Sequence, residues 1–186
     1  MTDLDNGWLR EAIHMPSPNI DDRPEGARVE LIVIHNISLP PGRYGGGHVQ
    51  ALFTNRLDPR EHPFFGGIAG VRVSAHLLIE RDGQLTQFAS FDRRAWHAGA
   101  SEFEGRSRCN DFSVGIELEG SDFEPYTDAQ YEALNTVLAA VCAAYPVRFV
   151  CGHSHIAVER KTDPGPFFEW RRLTLPAPVS LRPAHV

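Results

Sequence analysis

The sequence predicts a single domain of the α+β (mixed α/β) class, in which a β-sheet carries long loops over one rim. Three observations lead to this prediction: several apolar, β-branched runs of strand length, one amphipathic helix, and long loops rich in glycine and proline. The chain has 186 residues, of which 42% are hydrophobic. That length and composition suffice for one domain with a full hydrophobic core.

The first half of the chain is predicted to contain three strands separated by loops. Residues 1–28 are polar and rich in proline and aspartate, with Trp8 and Leu9 as the expected anchors. Val29–Ile34 is strongly β-branched and predicts a buried strand that ends at His35. The Asp-Gly pair at 82–83 is typical of a hairpin turn. The elements after His35 are a loop at 38–47, a short helix at 49–57, a loop at 58–70 and strands at 73–80 and 85–88.

The second half is predicted to contain the clearest helix, which lies between two strands at 112–118 and 147–151. Thr127 and Gln130 have the spacing of a capping box at a helix start. An apolar stripe at helical period follows and indicates a core position for Cys142; it comprises Leu134, Val137, Leu138, Val141, Cys142 and Tyr145. The remaining predictions are a long loop at 91–111, a short helix at 167–173 and a loose, proline-rich tail from 174.

Composition and charge argue against several classes of protein. The net charge is −6 and no basic block is present, so we expect no nucleic-acid partner. No apolar run reaches the roughly eighteen residues of a membrane span, and the polar N-terminus does not resemble a secretory signal. Three cysteines with no zinc-finger or redox spacing fit a reducing compartment. We therefore predict a cytoplasmic protein with no membrane contact and no obligatory protein partner.

The most informative segment is Gly152–Pro166, which holds two histidines, a lysine and an aspartate in one irregular stretch. His153 follows a predicted strand, as His35 does much earlier in the chain. If both strands lie in one sheet and end on one rim, the two imidazoles face a common point. Asp163, kept extended by the following proline, would add a carboxylate. Two imidazoles and a carboxylate leave the fourth position of a tetrahedral zinc ion open to water, which predicts one catalytic Zn²⁺.

A general base is predicted in the strand at 112–118. Strand alternation places Glu117 on one face together with Ser113, Gly115 and Glu119, whereas the apolar residues between them point to the other face. A carboxylate is costly to bury in so apolar a strand, which favours a role for Glu117 as the base. Lys161, two residues before the predicted carboxylate ligand, is the candidate that stabilises an oxyanion.

Each candidate also has an ordinary structural explanation. His35 could be a hydrogen-bonded loop histidine, Glu117 a solvent-facing strand residue, and Lys161 a solvated charge. Trp96 could anchor its loop rather than line a cleft. The other histidines are expected to be structural or at the surface, with His76 packed in the interior and His14, His48, His62 and His185 exposed. The combination of ligands, base and oxyanion stabiliser is more specific than any one of them.

Five blocks of the sequence resemble a known enzyme family. They read VIHNISLPPG (33–42), RVSAH (72–76), RAWHAG (94–99), RCNDFSVGIELEG (108–120) and ERKTDPGP (159–166). These blocks are similar to the zinc-dependent type 2 N-acetylmuramoyl-L-alanine amidases, which are related to peptidoglycan recognition proteins, and in particular to those that act on 1,6-anhydro-N-acetylmuramyl-L-alanine. The similarity runs from about residue 7 to 173. It implies a single amidase domain over 1–186, with that core and a proline-rich tail at 174–186.

The resemblance implies a central mixed β-sheet flanked by helices, with the zinc in a groove at one rim. It implies zinc ligation by His35, His153 and Asp163, catalysis by Glu117 as base, and oxyanion stabilisation by Lys161. It further implies a substrate groove in which Asn36 meets the sugar and two arginines meet peptide carboxylates. The substrate-binding residues implied in this way are Asn36, Arg72, Trp96, His97 and Arg108.

The activity implied by the resemblance is hydrolysis of the amide between the lactyl group of the anhydro-sugar and L-alanine of the stem peptide. This reaction belongs to cell-wall recycling, and it lowers the signal that induces β-lactamase, which links it to antibiotic resistance. The chain departs from the family pattern at Ser154, His155 and Val158. His155 is two residues from His153, so it stays open as an alternative ligand.

Two functions of other classes stay open at this stage. A peptidoglycan-recognition module would bind the same fragments without cutting them, although non-catalytic relatives lose a zinc ligand and this chain keeps all three candidates. A cysteine-dependent hydrolase would use Cys109 or Cys151. A thiol alkylator would inhibit such an enzyme and a chelator would not.

Overall fold

A mixed β-sheet forms the centre of the computed structural model, which describes residues 3–183. The strands are β1 (Leu4–Asp5), β2 (Trp8–Leu9), β3 (Ile13–His14), β4 (Ile20–Asp21), β5 (Leu31–Ile37), β6 (Leu77–Ile79), β7 (Leu85–Gln87), β8 (Arg94–Ala95), β9 (Glu102–Phe103), β10 (Arg106–Ser107), β11 (Ser113–Glu119), β12 (Phe149–Gly152) and β13 (Ser180–Leu181). The helices are α1 (His48–Phe53), α2 (Pro63–Gly67), α3 (Asp128–Ala144) and α4 (His153–Ile156), with 3-10 turns at Cys109–Asp111 and Trp170–Arg172.

The central sheet has seven strands in the order β13-β12-β5-β11-β6-β7-β3. Only β6 and β7 pair in the antiparallel sense, as the predicted hairpin, and the other neighbours in this sheet are parallel. The two longest strands, β5 and β11, are neighbours at the centre. The prediction of an α+β fold with a mixed sheet is therefore confirmed.

The two faces of the sheet carry different side chains because residues alternate along each strand. On one face, Ile32 and Ile34 of β5 and the apolar residues of β11 pack against α3 in the largest core cluster. On the other face, Leu31 and Val33 pack against Cys151 in a smaller cluster. At the carboxyl ends of the strands this second face changes from apolar to polar. The polar side chains at the strand ends therefore lie on the face of the sheet opposite α3.

Several local predictions differ from the structure. The strand predicted at 73–80 is confined to β6, because the backbone of 73–76 bonds to loops and to β11 rather than along a ladder. The loop predicted at 58–70 contains α2, which begins with a proline at its first position and is capped by His62. The tail is not loose throughout, since β13 adds an edge strand to β12. The helix predicted at 167–173 is the shorter 3-10 turn, and His185 lies outside the described residues.

The helix α3 has the capping box that the sequence predicts. The Thr127 hydroxyl accepts the Gln130 N–H at 3.1 Å, and the Gln130 side chain accepts the Thr127 N–H at 3.1 Å. The buried residues on its inner face extend from Gln130 to Val141, whereas Cys142 is only partly buried against the core. With 17 residues it is the longest helix, and none of the helices in 3–183 combines the length and apolar character that crossing a bilayer requires.

The cap of α3 leads to a stability prediction. Thr127→Ala removes the bond to the Gln130 N–H and the bond that the Thr127 hydroxyl donates to the Arg81 carbonyl at 2.7 Å. We expect the free energy of unfolding to fall by about 1–2 kcal/mol, measured by urea denaturation. Thr136→Ala, at an exposed site of the same helix, is the control and should stay within about 0.5 kcal/mol. Equal effects of the two substitutions would contradict the role of the cap.

Candidate metal centre

Three side chains lie in one row across the sheet because their strands are in register. Glu117 of β11 is the Cα partner of His35 of β5. Gly152 of β12 pairs with Ile34, so His153, the next residue, comes level with His35. Neighbouring strands are about 4.8 Å apart, which brings the three side chains within reach of a common point. Parallel pairing of β12, β5 and β11 therefore builds the site that the sequence patterns suggested.

The predicted ligand atoms meet at that point. His35 Nδ1, His153 Nδ1 and Asp163 Oδ2 lie 3.0 Å from one another in every pairing. All three residues are buried. One ion at the usual zinc bond lengths of about 2.0–2.2 Å can contact all three atoms at once. Asp163 reaches the point from the loop after α4, where the N–H of Ser154 donates to its carbonyl at 2.9 Å.

The chemistry of these three atoms fits a bound cation. The Ala98 carbonyl lies 3.2 Å from His153 Nε2, and a carbonyl can only accept, so a neutral His153 carries its proton on Nε2 and a lone pair on Nδ1. That lone pair faces the Asp163 carboxylate. Burial lowers the pKa of His35 to about 4, so this ring is also neutral at pH 7. Burial alone would raise the pKa of Asp163, but its close contacts with His153 and His35 outweigh burial and hold that pKa well below its usual range.

Glu117 stands beside this cluster with a free acceptor. Its side chain is almost fully buried, and Oε2 has no hydrogen-bond partner among the described residues. Burial, and then the charge of Asp163, raise the pKa of Glu117 well above its usual value, while Lys161 lowers it. An unpartnered carboxylate oxygen inside a protein is costly unless something else binds it. The prediction that Glu117 belongs to the site, rather than to a solvated face, agrees with this geometry.

A cavity of about 230 Å³ opens beside His153 and is lined by four predicted site residues, Lys161, Arg72, Trp96 and His97. The Lys161 side chain is exposed and makes no ion pair or hydrogen bond with residues 3–183, so its ammonium is available to a ligand. Trp96 is half-buried and its indole N–H is unpartnered within the same residues. A larger groove of about 750 Å³ runs along α3, but small side chains line most of it and it lacks such a set of groups.

Two predicted site residues, Asn36 and Arg108, lie outside the cavity wall, and a third, His97, lines it with its ring already engaged. The amide N–H₂ of Asn36 donates to Asp122 at 2.9 Å and to the Pro164 carbonyl at 3.1 Å, which leaves its oxygen free. Arg108 is exposed, pairs with Asp111 at 3.2 Å, and is not part of the cavity lining. His97 is buried, and both ring nitrogens already have partners.

The remaining histidine and cysteine alternatives find no support in the geometry. His155 Nδ1 accepts the Gly152 N–H at 3.0 Å, its ring contacts Trp170, and it lies outside the ligand cluster. Burial raises the pKa of the Cys109 and Cys151 thiols, which is the opposite of what an activated nucleophile needs. His76 is fully buried, as predicted, and its Nδ1 accepts the Gly115 N–H.

The chain is similar in sequence to curated amidases. Residues 25–166 match the model of the family described as N-acetylmuramoyl-L-alanine amidase. The 1,6-anhydro-N-acetylmuramyl-L-alanine amidase AmpD of Citrobacter freundii is 57% identical over 171 residues, which cover 91% of each chain.

Solved structures give the same result. A crystal structure of a selenomethionine AmpD derivative superposes with a TM-score of 0.88 at 55% identity, covering 92% of this chain and 99% of that one. The Escherichia coli amidase AmiD, in complex with the substrate anhydro-N-acetylmuramic acid-L-Ala-D-γ-Glu-L-Lys, has a TM-score of 0.57 at 25% identity, covering 83% and 64% of the two chains. The chain is therefore a member of the N-acetylmuramoyl-L-alanine amidase family.

Proposed function

We propose that this protein is a zinc-dependent amidase that hydrolyses the bond between the lactyl group of 1,6-anhydro-N-acetylmuramic acid and L-alanine of the stem peptide. The observation that carries the proposal is the cluster of His35, His153 and Asp163, whose ligand atoms face one point, with the buried carboxyl of Glu117 beside it in the same row of the sheet. Further support comes from the relatives named for this reaction and from the substrate in the AmiD complex.

The zinc ion would be held by His35 Nδ1, His153 Nδ1 and Asp163 Oδ2. Zinc bound there supplies the Lewis acidity that makes water nucleophilic at neutral pH and polarises the amide carbonyl. Glu117 takes a proton from the water as its oxygen bonds to the amide carbon and the carbonyl π bond opens to give a tetrahedral intermediate. Glu117 then delivers that proton to the nitrogen of L-alanine, so that the C–N bond breaks and the carbonyl forms again as a carboxylate. No group of residues 3–183 donates a hydrogen bond to the Glu117 carboxyl, so no protein group competes with the water for it.

Lys161 provides the positive charge for the oxygen of the tetrahedral intermediate. Its ammonium is unpaired within 3–183 and lines the cavity next to His153. The same cavity would hold the beginning of the stem peptide, with Arg72 available for a peptide carboxylate and the Trp96 ring forming part of the wall. Asn36, through its free amide oxygen, and the exposed Arg108 would contact more distant parts of the substrate.

The substrate is a fragment of the cell wall, so the reaction belongs to peptidoglycan recycling. We place it in the cytoplasm, a reducing compartment in which the three free cysteines would stay reduced. Cell fractionation tests this assignment, since activity confined to the membrane or periplasmic fraction would contradict it.

Product analysis with and without a chelator tests the function directly. After incubation with anhydro-muramyl tripeptide, mass spectrometry should show free tripeptide and free anhydro-sugar. A chelator should abolish product formation, because no side chain of the site replaces the Lewis acidity of the ion. Added Zn²⁺ should restore it. A thiol alkylator should leave activity unchanged, since the cysteines near the sheet are buried with raised pKa values. Intact substrate that stays bound to the zinc-loaded protein would indicate a recognition module instead.

A further inference from the structure

We propose that the segment His97–Ala98 is a positioning element for the metal site, which holds both histidine ligands in the tautomer that presents the Nδ1 lone pair to the ion. The inference rests on the proposed zinc site and assigns to His97 a role other than substrate contact.

The arm that reaches His35 is a chain of three hydrogen bonds. The Ser113 hydroxyl lies 2.6 Å from the Cys109 carbonyl, which can only accept, so the serine proton points there. Ser113 Oγ must then accept at its second contact, 3.1 Å from His97 Nε2, and His97 carries its proton on Nε2. In the tautomer that carries its single proton on Nε2, the other ring nitrogen, Nδ1, has a lone pair. His97 Nδ1 is therefore an acceptor.

His97 Nδ1 lies 3.0 Å from His35 Nε2 and accepts that proton. The tautomer of His35 that donates from Nε2 has a lone pair on Nδ1, and this lone pair is directed at the cluster. The direction of the Ser113 hydroxyl proton, two side chains away, thus sets the tautomer of His35. Without His97, a buried His35 could place its proton on Nδ1 and donate it to the Asp163 carboxylate, which would block the ion.

The arm that reaches His153 is shorter. The carbonyl of Ala98, the residue next to His97, accepts from His153 Nε2 at 3.2 Å and leaves Nδ1 unprotonated. Arg160 also donates to this carbonyl at 3.2 Å and to the carbonyl of Ala100, which fixes the loop from outside. Two consecutive residues therefore orient both imidazole ligands, one through its side chain and the other through its main chain.

The segment is held in place by a single buried side chain. Asn110 Oδ1 accepts the His97 N–H at 3.1 Å and the Ala98 N–H at 2.8 Å. The His97 ring also requires a gap in β11, since a Cβ on Gly115 would lie only 2.3 Å from its Cγ. Ser113, Gly115 and Glu117 thus occupy one face of β11 with three distinct tasks: anchoring the relay, making room for the ring, and offering a carboxylate.

A pair of substitutions at His97 tests the role. His97→Phe fills the same space without nitrogen atoms, whereas His97→Asn places an amide oxygen at the position of Nδ1. We expect the zinc dissociation constant, measured by competition with a chromophoric chelator, to rise about 10–100-fold for His97→Phe. In His97→Asn most of the lost zinc affinity should be restored. Gly115→Ala should weaken zinc binding in the same direction because it displaces the ring.

A spectroscopic measurement reports on the tautomer itself. Long-range ¹H–¹⁵N correlation of the zinc-free protein should show His35 and His153 protonated on Nε2, and in His97→Phe the His35 ring should lose that preference. Circular dichroism identifies any variant that has failed to fold, in which case Ser113→Ala, expected to act in the same direction, takes its place.

The outcomes separate this inference from the proposed function. Failure of the wild type to bind zinc or to cleave the substrate would overturn the function. A wild type that binds and cleaves, together with a His97→Phe variant of unchanged zinc affinity, would overturn the inference alone. If that variant also showed a raised KM for the anhydro-muramyl tripeptide, His97 would be a substrate contact.

Discussion

Glu117→Gln is expected to lower kcat by about 10²–10⁴-fold while the protein keeps its zinc. Glutamine fills the space of glutamate and preserves its volume in the buried row, but it cannot take a proton from water. The ligand atoms come from His35, His153 and Asp163, so the substitution removes no ligand. Steady-state kinetics on anhydro-muramyl tripeptide and metal analysis of the same sample measure the two quantities together.

Glu119→Gln is the matched control for this prediction. Glu119 lies on the same face of β11, two residues further on, and is also buried. Its carboxylate is already occupied, since it accepts the N–H of Gly45 at 2.7 Å and the N–H of Arg81 at 3.3 Å. We expect this variant to keep kcat within a few-fold of the wild type. Near-normal turnover in Glu117→Gln would remove Glu117 from the mechanism.

The substitution Glu117→Gln should also stabilise the zinc-free protein at neutral pH. Burial raises the pKa of Glu117 in the folded state, so the unfolded chain ionises first as the pH rises. The free energy of unfolding therefore falls between the unfolded and the folded pKa, and glutamine abolishes that loss. Chemical denaturation of both proteins with chelator present, at pH 4 and at pH 7, should show a stabilising effect of Glu117→Gln that is larger at pH 7.

Much of the site could be predicted because each part follows from a local pattern. His35 and His153 each come directly after an apolar run, and period-two alternation separates Glu117 from its apolar neighbours. Parallel strands in one sheet end on the same edge, so the single assumption that two runs were neighbours brought the ligands together. The structure satisfies that assumption, with β12 beside β5 and β5 beside β11.

Other parts could not be predicted because they depend on contacts between distant segments. Nothing near His97 in the sequence shows that its ring lies on Gly115 behind a ligand, so the resemblance placed it with the substrate contacts. Asn110 acts through two backbone N–H groups, and no spacing rule marks an asparagine for that role. The edge strand β13 exists because β12 offers unpaired backbone groups, although the tail composition suggests a loop.

Asp163→Ala is expected to weaken zinc binding by more than about 100-fold and to abolish measurable amidase activity at ordinary zinc concentrations. Asp163 is the only carboxylate in the ligand cluster of the described residues, and with it the site loses its negative charge. The two imidazoles that remain carry no negative charge, so they offset less of the cost of transferring a divalent cation to a buried position. Metal analysis after dialysis and the zinc-dependent rise in Tm both report the loss.

Asp122→Asn is the control for a carboxylate that is close to the same loop without facing the ion. Asp122 accepts from Asn36 at 2.9 Å and lies against Gly165, and asparagine keeps an oxygen for that bond. This variant should bind zinc as the wild type does. Full zinc occupancy in Asp163→Ala would instead require a substitute ligand, and the double variant with His155→Ala would show whether His155 supplies it. Because His155 Nδ1 is bound to the Gly152 N–H, we expect the single and double variants to be equally deficient in zinc.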